Sequence, residues 1–100
     1  MVTKKEKIYE GELVLENIPA SKRQDVLNLI KNLDHEAQRR DFMDRILWRE
    51  EKDDDTHFYI SENQLTVFMG EKIGEAFKNQ GKLTIAYNPE GPVRVKWEFY

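Results

Sequence analysis

The chain has 100 residues, 39% hydrophobic and 35% charged, with 16 basic and 19 acidic side chains and a net charge of −3. That length suits a single domain over residues 1–100 with a core that needs no disulfides, and the apolar content excludes a wholly disordered chain. The slight negative balance excludes a global positive field of the kind that recruits nucleic acid, so a nucleic-acid site would have to be a local island. Cysteine is absent, which removes disulfides, thiolate metal sites and thiol nucleophiles; it fits a reducing compartment, and a cytoplasmic location is expected. No apolar run approaches the ~18 residues that span a bilayer. The opening MVTKKEKIYE lacks the apolar centre of a signal peptide, so neither export nor a membrane partner is expected.

Residues 1–6 are expected to be disordered. In residues 7–18, KIYEGELVLENI, Tyr9, Gly11, Leu13 and Leu15 alternate with Glu10, Glu12, Val14 and Glu16, the period of a half-buried strand. Ser21-Lys22-Arg23-Gln24 has the S-x-x-Q spacing of a capping box and predicts the start of a helix. Val26, Leu27, Leu29, Ile30, Leu33 and Ala37 then mark its buried face. Arg45 to Glu50 predicts a second strand with Ile46 and Trp48 on one side. The acidic run Asp53-Asp54-Asp55 breaks it, and THFYI over residues 56–60 resumes as a third strand, so the two form a hairpin with an acidic tip.

Ser61-Glu62-Asn63-Gln64 repeats the box and predicts a second helix, its core face Leu65, Phe68, Met69, Ile73, Ala76 and Phe77, ending near Gln80 with Gly81 as its C-terminal cap. Leu83, Ile85 and Tyr87 alternate in a fourth strand. Asn88-Pro89-Glu90-Gly91 fits a type I turn, and Val93, Val95, Trp97 and Phe99 alternate in a fifth strand. The order strand, helix, strand, strand, helix, strand is that of a two-layer ferredoxin-like α+β fold, here with an added C-terminal strand. Strands two and five are expected at the sheet edges. Gly70 and Gly74 lie inside the second helix, where each costs about 1 kcal/mol relative to alanine. Their spacing of one turn predicts a groove that admits Trp48 or Trp97 from the sheet.

Catalytic signatures are scarce. Asp34-His35-Glu36 is adjacent in sequence, and residues adjacent on a helix point apart, whereas ligand pairs need spacings of three or four. The acidic tip lacks the spacing of a calcium loop. Ser21 and Ser61 are the only serines and read as caps. No catalytic residue, cofactor or metal ligand is therefore assigned, and a non-enzymatic protein is expected. A small metal-dependent or acid–base enzyme around Asp53, Asp55 and His57 is the least favoured alternative.

Strand alternation sends Arg45, Leu47, Arg49, His57, Tyr59, Arg94, Lys96 and Tyr100 to the open side of the sheet. Sheets of this kind bind single-stranded RNA by stacking bases on aromatics while basic residues meet phosphates. Arg45, Arg49, Tyr59, Arg94 and Lys96 are accordingly the candidate site for RNA, a ribonucleoprotein or a protein partner. Glu10, Glu12 and Glu16 oppose phosphate there. A protein-interaction or homodimerisation module with no nucleic-acid role, acting through an edge strand or the open face, is the alternative.

The succession ENQLTVFMGEKIGEAFKNQGKLTIAY followed by PVRVKW, with VLNLIKNLDHEAQRRDFMDRIL upstream, resembles the α+β domain of uncharacterised bacterial proteins built from a zinc ribbon followed by an α+β domain. Those are related in turn to the archaeal and eukaryotic adaptor for large ribosomal subunit export. The resemblance spans about residues 8–97 and implies ribosome or RNA association. The relatives carry cysteine pairs upstream; this chain has none.

Overall fold

The computed structural model describes residues 9–100; the disorder expected for residues 1–6 lies outside the described residues. Alternation along GELVLE forms strand β1 (Gly11–Glu16), with Leu13 and Leu15 fully buried toward the helices. A single 3-10 turn over Ala20–Lys22 leads into helix α1 (Arg23–Arg40), which buries Val26, Ile30, Leu33 and Ala37. The expected Ser21 capping box does not form, because the 3-10 turn occupies that position and no side chain caps the helix.

Strands β2 (Ile46–Lys52) and β3 (Asp55–Ile60) pair as an antiparallel hairpin. Its turn is Asp53-Asp54, at φ 51° and 74°, the left-handed pair that a two-residue hairpin loop requires and that aspartate tolerates. Helix α2 (Asn63–Ala76) is capped by Glu62, whose carboxylate accepts from the N–H groups of Gln64 and Leu65 at 3.0 and 2.8 Å. Ser61, the expected cap, instead accepts from the Arg45 N–H. The helix stops at Ala76, short of the expected Gln80, and Asn79 rather than Gly81 takes the left-handed conformation after it (φ 67°). Strands β4 (Gly81–Ala86) and β5 (Val93–Phe99) follow as a second antiparallel hairpin. Its turn is closed by the Gly91 N–H donating to the Asn88 carbonyl.

Among the described residues, two α-helices and one five-stranded mixed sheet give an α+β architecture, with the sheet order β2-β3-β1-β5-β4. The C-terminal strand is not appended at an edge. Strand β5 runs parallel to β1 and lies between it and β4, so the order differs from a ferredoxin-like sheet extended at its margin. The edges are β2 and β4, not β2 and β5. The physical reason is burial: β5 contributes Val93, Val95, Trp97 and Phe99, all buried, whereas Leu83 and Ile85 of β4 are only partly covered. The more apolar strand takes the position with neighbours on both sides.

Both helices cover one face, and the core lies between them and the sheet. The β2 register shifts between Ile46 and Trp48. This bulge keeps Ile46 against the core but turns Trp48 to the open face, where it sits opposite Tyr59, and returns Arg49 to the helix side opposite Phe58. Expected placements for Trp48 and Arg49 are thus reversed, because one extra residue in a strand exchanges its two faces.

Trp97, not Trp48, packs at the glycines of α2. A methyl group at Gly74 would meet the Trp97 ring at an ordinary 3.5 Å, while one at Gly70 would collide with Val95. The two glycines therefore differ in kind. Gly70→Ala destabilises the protein by about 1–3 kcal/mol, overpacking outweighing the gain in helix propensity. Gly74→Ala, free to keep that gain, stabilises it by roughly 0.5–1 kcal/mol. Urea unfolding of the two variants distinguishes these signs; equal effects would refute the packing account.

Candidate functional site

The open face is organised around one carboxylate. Glu12, at the middle of β1, is only 8% exposed. Antiparallel pairing with β3 brings Tyr59 opposite it and His57 opposite Val14, and parallel pairing with β5 brings Arg94 opposite it. The His57 Nδ1–H donates to one Glu12 oxygen at 2.8 Å and the Arg94 Nε–H to the other at 3.1 Å. A carboxylate this short of water needs such partners, because it has lost much of its hydration. Farther along β1, Glu16 lies 3.8 Å from the Lys96 ammonium.

Beside this cluster the aromatic rings occupy one another. Trp48 stacks on Tyr59 with centroids 4.6 Å apart, and Tyr9 meets both edge-on at 5.6 and 4.9 Å. The Tyr59 hydroxyl donates to Glu50 at 3.3 Å and accepts from Lys52 at 3.5 Å. Burial pushes that hydroxyl above its ordinary 10.0, and the Glu12 charge pushes the same way, against the nearby Lys52 ammonium. A shallow depression of 260 Å³ lies on the β1–β5–β4 part of the face, lined by Val14, Glu16, His57, Thr84, Arg94 and Lys96 among others.

The five residues expected to form one site are dispersed. Arg94 and Lys96 share the open face, each beside a carboxylate. Tyr59 lies on the same face but is 6% exposed beneath Trp48 and Tyr9, so no base can stack on its ring. Arg49 is on the helix side, 3.4 Å from Glu51, which also accepts from Arg23 of α1 at 3.0 Å. Arg45 precedes β2 and turns away, its guanidinium donating to the Phe42 carbonyl and lying 5.0 Å from the Phe42 ring.

Sequence reasoning missed Glu12 as the hub and treated it only as a repelling charge. A glutamate amid Leu13, Val14 and Leu15 was the available signal, but its partners depend on the register of two strands. Asp34 was missed as well: it accepts from the Ile46 N–H at 2.8 Å and so fixes the start of β2 on α1.

Glu12 on Nδ1 orients the His57 imidazole and leaves Nε2 for the depression, the arrangement of an oriented base. Among the described residues no side-chain hydroxyl is hydrogen-bonded to that ring. Asp55 lies opposite Lys52 at the hairpin end. No three His, Cys, Asp or Glu side chains gather to hold a metal ion among the described residues. No described helix is long and apolar enough to cross a membrane. No protein-family model matches the chain, and no curated protein or solved structure matches it.

In the folded protein Tyr59 titrates above 10.0, and Glu12→Gln lowers its midpoint by removing the charge, without abolishing the part due to burial. Following the Tyr59 ring signals by NMR across alkaline pH checks this; a midpoint unchanged or raised by the substitution contradicts the arrangement.

Proposed function

We propose that the protein is a non-enzymatic protein-interaction module that engages an extended segment of its partner along the edge strand β4. The observation that carries this reading is the contrast between the two sheet edges. Strand β2 holds Arg49, Glu50, Glu51 and Lys52 in succession and a bulge, both common guards against edge pairing. Strand β4, GKLTIA, has one charge, no proline and an unbroken register on β5. Among the described residues its outer backbone groups have no strand beside them, so they can accept a further strand.

RNA is the less favoured partner. A phosphate approaching Arg94 or Lys96 would have to compete with Glu12 or Glu16, and the aromatic stack offers no free ring face at Tyr59. The resemblance to export-adaptor relatives suits a ribonucleoprotein met through its protein component.

Electrophoresis with short single-stranded RNA at low salt tests the choice. No shift is expected. A shift that weakens steadily as salt rises would signal phosphate contacts and return the site to Arg94 and Lys96.

A further inference from the structure

Given that reading of β4 as the interaction edge, we infer that its occupant is a second copy of this chain, paired antiparallel about a two-fold axis at Thr84. The strand is complementary to itself in that register. Gly81, Leu83 and Ile85 point to the helix side and Lys82, Thr84 and Ala86 to the open side, as their pairing with β5 fixes, and Tyr87, just past the strand, lies beside Val67 and Phe68 of α2. Across the axis Leu83 meets Ile85 of the second copy, and Tyr87 meets Gly81 of the second copy. Lys82 faces Ala86 of the second copy, so no like charges are opposed. Leu83 and Ile85, only partly covered in one chain, gain apolar neighbours in the pair, and Tyr87, 74% exposed, comes beside Gly81 of the second copy, whose side-chain position is filled by the Trp97 ring.

The helix layer continues across the same axis. A groove of 630 Å³ runs between α2 and the β4 edge, lined by Glu71, Gly74, Glu75, Lys78, Leu83 and Trp97. Gly74 sits over Trp97, which pairs with Leu83 beside the axis. Gly70 likewise sits over Val95, the partner of Ile85, so the axis at Thr84 meets α2 between the two glycines and the two-fold operation runs the second α2 antiparallel to the first at that level. Strands are spaced by about 4.8 Å, so helices centred over β5 stand roughly 14 Å apart. That gap is too wide for backbone packing and within reach of the long side chains lining the groove and of Tyr87. The interface is isologous and closes on itself, as a two-fold dimer must. The two sheets join into one, and β2 is left as the guarded edge on either side.

Sedimentation equilibrium at micromolar to high micromolar concentration, with Thr84→Lys and Thr84→Glu variants, tests this. Thr84 is exposed on the open side, so circular dichroism is expected to show both variants folded. The native chain should dimerise. Each variant, placing two like charges opposite one another at the axis, should dissociate at least about tenfold more readily, and an equimolar mixture of the two should recover the dimer. A monomeric native chain would overturn the inference, leaving the edge to a different protein, and the RNA measurement would still decide the broader reading. A dimer indifferent to both variants, or a mixture that fails to recover, would overturn it equally by placing the contact elsewhere.

Discussion

The parallel pairing of β1 with β5 is the constraint on which the other features rest. It brings Leu13 beside Val95 and Leu15 beside Trp97 on the core side, and Glu12 beside Arg94 on the open side. By lying between β1 and β4, β5 also leaves β4 at the margin of the sheet. The buried carboxylate cluster and the unguarded edge therefore have a common origin in where one apolar strand is most stably placed.

On the open face the basic and aromatic residues expected to meet a ligand already have partners within the protein. Arg94 is 63% exposed at its side chain yet bound to Glu12, and the Trp48, Tyr59 and Tyr9 rings satisfy one another. Glu12 gains two charge-assisted hydrogen bonds in place of lost hydration, an arrangement that fixes the alignment of β3, β1 and β5 around it. That role is structural, and it leaves the edge strands as the places where backbone hydrogen-bonding capacity is still unspent.

Much of the fold was legible from period and punctuation. The five strands, both helices, the acidic hairpin tip and the Asn88 turn all follow from local pattern, because alternation and turn chemistry act within a few residues. What escaped was non-local. The bulge beside Leu47 reversed Trp48 and Arg49, and nothing in ILWREE marks a register shift that is set by Asp34 and β3. The Ser61 cap failed because Glu62, one residue along, offers two carboxylate oxygens to α2, while Ser61 is taken by Arg45. The position of β5 required knowing how well β4 would be covered. The candidate site was legible only in part: Tyr59, Arg94 and Lys96 reach one face as expected, but their neutralising partners come from strand pairing.

Amide hydrogen exchange along residues 81–87, followed over a concentration series, tests most directly the claim that β4 is the working surface. Alternate amides of β4 point away from β5 and have no strand partner among the described residues. The account predicts that these amides become protected as concentration rises, while the outward amides of β2 continue to exchange freely. Outward β4 amides that exchange at open-edge rates at every concentration would contradict it.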